Sequence, residues 1–72
     1  MKAPCGIEIK VGQTWKVVGR RLGATFEIVG FERGAGYCTE VWVKPSMLSF
    51  HQLAKVQAFT GKRGGYKLVM DV

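Results

Sequence analysis

The stretch Ala24-Thr25-Phe26-Glu27-Ile28-Val29-Gly30-Phe31 decides how the chain folds. Side chains alternate across an extended backbone, so Phe26 and Ile28 share one face while Val29 and Phe31 take the other. A change of parity at a glycine suggests a bulge or bend in a strand. On the N-terminal side, Thr14-Trp15-Lys16-Val17-Val18 sets Trp15 and Val17 on one face. On the C-terminal side, Tyr37, Thr39, Val41 and Val43 alternate with Cys38, Glu40 and Trp42. A last segment, Gly65-Tyr66-Lys67-Leu68-Val69-Met70, puts Tyr66, Leu68 and Met70 together. Glycine clusters at 19–23, 34–36 and 61–65 separate these segments and suit turns, because glycine accepts positive φ without steric cost. Short alternating strands at this spacing predict a mainly β chain, either a small antiparallel barrel or a curled sheet.

The segment after Pro45 carries a different signal. Ser49-Phe50-His51-Gln52 has the spacing of a capping box, and Gly61 suits a helix C-terminus. One short helix near residues 50–59 is therefore expected. A strand over Met47–Leu53 is the alternative, with Met47, Ser49, His51 and Leu53 opposed to Leu48, Phe50 and Gln52.

With 72 residues the chain has room for one domain, 1–72, with residues 1–8 as a loosely ordered arm. A core of this size supplies only about 3–5 kcal/mol. No apolar run approaches the roughly 18 residues of a membrane span, and no apolar h-region follows Lys2, so neither a membrane partner nor a secretory signal is expected. Cys5 and Cys38 read as free thiols of a reducing cytoplasm, with a disulfide between them as the alternative. Together with His51 they lack the spacing of a zinc site, and no metal or cofactor is expected. One histidine, and one aspartate near the chain end, offer little for hydrolytic catalysis; Asp71 is expected to fray. The chain reads as non-enzymatic.

Charge is the more informative signal. Lys and Arg number 11 against 5 Asp and Glu, a formal charge of +6. Arg20 and Arg21 lie between Gly19 and Gly23, and Lys62 and Arg63 between Gly61 and Gly64. Such turns can present backbone N–H groups beside cations, an arrangement that suits phosphate oxygens. Lys16, Arg33 and Lys67 extend the candidate nucleic-acid surface, and outward-facing Tyr37, Tyr66 or Trp42 would add base stacking. The alternative partner is an acidic host protein met through an exposed aromatic surface of Trp42, Tyr37 and Tyr66. Burying either face of the Trp42 strand leaves apolar residues on the other, which a homodimer would cover.

Val11-Gly12-Gln13-Thr14-Trp15, Thr25-Phe26-Glu27-Ile28-Val29-Gly30 and Gly65-Tyr66-Lys67-Leu68-Val69 together resemble short SH3-like barrel proteins of bacteriophage and prophage genomes. The resemblance covers most of residues 9–70. It implies an SH3-like barrel of four to five strands and a phage accessory role, binding a host protein or nucleic acid. The 47–60 segment departs from that pattern, because a helix there replaces a strand.

Overall fold

A computed structural model describes residues 2–19, 24–32 and 40–72. Five strands form one antiparallel sheet: β1 (Thr14–Val17), β2 (Thr25–Phe31), β3 (Glu40–Pro45), β4 (Gln52–Lys55) and β5 (Tyr66–Met70). Their spatial order is β4-β3-β2-β1-β5. The first four make a meander, and β5 returns beside β1. Among the described residues no helix is long and apolar enough to cross a membrane.

Alternation sorts the side chains. Trp15, Phe26, Ile28, Val41, Val43 and Ala54 point inward and are buried, with Ala3, Ile9 and Phe59 completing the core. The register between β2 and β3 shifts where the parity changes: Ile28 pairs with Val43, and Gly30 pairs with Trp42. Glycine at the shift lets the strand kink while Trp42 packs beside it. Burial of Val41 and Val43 leaves Trp42 on the outer face, half-buried.

The helix expected near residues 50–59 does not form. Gln52–Lys55 is strand, followed by one 3-10 turn at Val56–Ala58. Lys55, at the start of that turn, has extended dihedrals and makes no side-chain cap. The reason is tertiary. Pairing of Val41 with Ala54 and of Trp42 with Leu53 satisfies one backbone edge of β3, which a helix here would leave bare. Ala54 alone in this strand is buried, between exposed Leu53 and Lys55.

The sheet is also not closed, contrary to a complete barrel: β4 and β5 are its two edges. The 3-10 turn delivers Phe59 into the interior, fully buried. Its ring meets Trp15 at 4.9 Å, Tyr66 at 5.0 Å and Phe26 at 5.9 Å between centroids, all edge-on. Phe59 thus packs over the inner face of three neighbouring strands, β2, β1 and β5, while the edges β4 and β5 do not pair with each other. At the N-terminus, the Ala3 N–H donates to the Ile7 carbonyl at 2.8 Å and the backbones of Lys2 and Glu8 form an isolated antiparallel bridge, which seats Ala3 in the core.

Gly65 shows how tightly the approach to β5 is built. A Cβ there would lie 2.5 Å from the Ala58 carbonyl oxygen and hard against Thr60 Oγ1. Gly65→Ala is therefore expected to destabilise the chain by about 1–3 kcal/mol, the usual cost of forcing extra volume into a packed site. Urea unfolding measures it. A loss under about 0.5 kcal/mol, as at an ordinary surface position, would show that the turn relaxes freely.

Candidate functional site

The glycine turn at 61–65 docks on the end of β1. Val18 donates to the Gly65 carbonyl at 2.9 Å, and Gly64 donates back to the Val18 carbonyl at 3.2 Å. Gly61 donates to the Tyr66 carbonyl at 2.7 Å, which fixes the other side of the turn. The stem of Arg63 crosses over Gly19, where a Cβ would stand 2.7 Å from Arg63 Cγ. Gly19 also has φ +86°, so both its backbone and this close approach require glycine. Lys62 and Arg63 are exposed on the turn.

Lys16 and Lys67 lie directly opposite each other where β1 pairs with β5. Their neighbours Trp15 and Leu68, and Val17 and Tyr66, face inward, so both lysines are on the outer face. Like charges directly opposite in a sheet destabilise it. The neighbour of Lys16 on β2 is Thr25, and the acid on that strand, Glu27, stands opposite Lys44. Neither Ile9–Phe26 nor Val41–Met70 contains an acidic residue. Four cations from two distant parts of the sequence therefore gather at one end of the sheet.

Beside this end the interior opens. A half-open apolar cleft of about 240 Å³ lies between the sheet edges, lined among others by Val17, Phe26, Val43, Leu48, Gln52 and Tyr66. Tyr66 is half-buried and faces inward, with its ring edge-on to Phe26 at 4.9 Å. It is thus a wall of the cleft and not an outward stacking platform. Trp42 is on the other side of the sheet, next to exposed Leu53. Arg20, Arg21, Arg33, Tyr37 and Cys38 lie outside the described residues. Cys5 is a free, exposed thiol. His51 is exposed in the loop between β3 and β4.

One buried polar residue organises the opposite end. Gln13 is fully buried, and its amide is fully engaged. Its Oε1 accepts from the Lys10 N–H at 2.8 Å and from Trp15 Nε1 at 3.1 Å. Its Nε2 donates to the Glu8 carbonyl at 2.8 Å and to Asp71 Oδ1 at 2.9 Å. The expectation that Asp71 frays is therefore wrong: Gln13 ties the residues beyond β5 back to the segment that enters β1. The Gln13 hydrogen bond, helped by the Val72 N–H, holds the Asp71 carboxyl below its ordinary pKa. A carboxyl depressed in the folded state contributes stability above its unfolded pKa and loses it as pH falls through the folded value. Asp71→Asn keeps an acceptor for Gln13 but cannot titrate. Its stability should fall less on the acid side than that of the parent, as measured by thermal melts through the carboxylate range. Superimposable acid limbs would show that the contact contributes nothing to the pH dependence.

The basic residues of the 61–65 turn were visible in the sequence as glycine-flanked cations. The cleft was not, because it is made by strand pairing between remote segments. Gln13 carried one usable clue: a buried tryptophan two residues away needs an acceptor for its indole N–H. No protein-family model matches the chain, and no curated protein or solved structure matches it.

Proposed function

We propose that the chain is a small non-enzymatic module, SH3-like in outline, that binds nucleic acid by gripping phosphates at the β1–β5 end. The observation that carries this reading is the cross-strand pair Lys16–Lys67, continuous with a glycine turn that exposes Lys62 and Arg63. Holding these cations together costs stability in the free chain, and a polyanion relieves that cost by neutralising them. Arg20 and Arg21, which follow Gly19 directly in sequence, add to the net positive charge of the chain. The four-strand meander, with β5 returning beside β1 after one 3-10 turn, is in keeping with the SH3-like outline. Such contacts position a nucleic acid without reading its sequence.

The test is a fluorescence anisotropy titration of labelled single- and double-stranded oligonucleotides at two salt concentrations. Micromolar or tighter binding that weakens steeply with salt supports the reading. A flat titration at low salt overturns it. A second reading rests on Trp42, half-buried on the outer face beside exposed Leu53. There an acidic host protein would dock on the apolar pair, and the same titration would be flat.

A further inference from the structure

We infer that the cleft receives one unstacked nucleobase, and that the nucleic acid bound at the basic end is single-stranded. This rests on the reading proposed above and adds the form of the ligand.

The cleft and the basic turn bearing Lys62 and Arg63 are parts of one structure, whereas Lys16 and Lys67 stand on the other face of the sheet. Tyr66, a wall of the cleft, lies between Gly65 of the basic turn and Lys67 of the outer face, and its carbonyl accepts the Gly61 N–H. Val17, another wall, follows Lys16 and precedes Val18, on which the turn docks. A ligand with its anionic part on Lys62 and Arg63 therefore has an apolar opening alongside. Charge complementarity selects a polyanion that also carries flat apolar groups.

The size and the polar groups narrow the occupant further. About 240 Å³ is below the roughly 300–1,000 Å³ of pockets that enclose drug-sized ligands, and suits a single ring system. The rim exposes Leu48 and Leu53, and Phe50 is exposed in the loop between them. Gln52 brings an amide to the cleft, and among the described residues neither that amide nor the Tyr66 hydroxyl has a hydrogen-bond partner. A base edge offers donors and acceptors to both, whereas the phenyl ring of an acidic peptide offers none. In a duplex the bases are stacked and paired, and extracting one is costly. A single strand presents them free.

The experiment compares three labelled ligands on the intact chain: oligothymidylate, an abasic strand of equal length, and a duplex of equal length. Base contact of this kind is worth about 5- to 150-fold in affinity. Oligothymidylate is expected to bind at least about tenfold tighter than the abasic strand. Leu48→Ser with Gln52→Ala, both exposed positions, should reduce it to the abasic level. If that variant does not fold, the comparison on the parent chain decides alone. Equal affinity for all three ligands would overturn the base pocket and leave the phosphate grip standing. No binding of any strand at low salt would overturn both. Displacement of oligothymidylate by a Glu- and Phe-containing peptide, without any advantage of thymidylate over the abasic strand, would assign the cleft to peptide and overturn the inference.

Discussion

Gln13→Leu is expected to destabilise the chain by about 3 kcal/mol, close to the whole stability that a core of this size supplies. Leucine is similar in volume, so the change removes hydrogen bonds with little change in packing. Trp15 Nε1 then has no acceptor inside a fully buried site, which by itself costs about 1–3 kcal/mol. The Lys10 N–H and the Glu8 carbonyl lose partners in a partly buried setting, at about 1 kcal/mol each. Asp71 is exposed and turns to water, so its loss is the smallest. Urea denaturation of Gln13→Leu, Trp15→Phe and the double variant separates these contributions. Once the indole N–H is gone, Gln13→Leu should cost measurably less. Full additivity of the two changes would show that the indole bond is not part of the network. A Gln13→Leu variant as stable as the parent would remove Gln13 from the account of the fold.

The second large effect concerns the basic end, where stability and binding should move in opposite directions. Lys67→Glu places a carboxylate opposite Lys16 and should stabilise the free chain by about 0.2–1 kcal/mol, while it weakens binding to oligonucleotides. Extending the reversal to Lys16, Lys62 and Arg63 moves the formal charge by two for each residue, from +6 to −2. At about 0.1 M salt the fourfold variant should lose at least roughly a hundredfold in affinity. Reversal of Lys2 and Lys44, exposed residues outside the cluster, is the control for net charge alone. If that control weakens binding as much per charge as the cluster does, the β1–β5 end is not the contact surface. Arg63 needs separate care, because its stem covers Gly19. Arg63→Gln keeps most of that packing and removes the charge.

Several features of this structure were legible in the residues themselves. The parity change at Gly30 located the register shift of β2, because alternation is a local property of an extended chain. Phe26 and Ile28 share a face for the same reason, and that face is the one the core buries. The segment 50–59 departs from its local signals, a capping box and a terminal glycine, because those describe only what the segment does in isolation. Its strand is imposed by the open edge of β3, which it satisfies. Gln13 and Asp71 are 58 positions apart, and nothing near either one announces the other. The functional end divides in the same way. The glycine-flanked cations are a sequence pattern, but the Lys16–Lys67 pairing and the apolar cleft exist only once β5 returns to β1.

The measurement that bears most directly on this account is the salt dependence of oligonucleotide binding by the parent chain and by Lys62→Glu/Arg63→Glu. A grip built from these cations predicts that log affinity falls linearly with log salt. It also predicts a slope shallower by about two in the variant, roughly one for each lost phosphate contact. Binding that ignores salt, or a variant with the parent's slope and affinity, would contradict it.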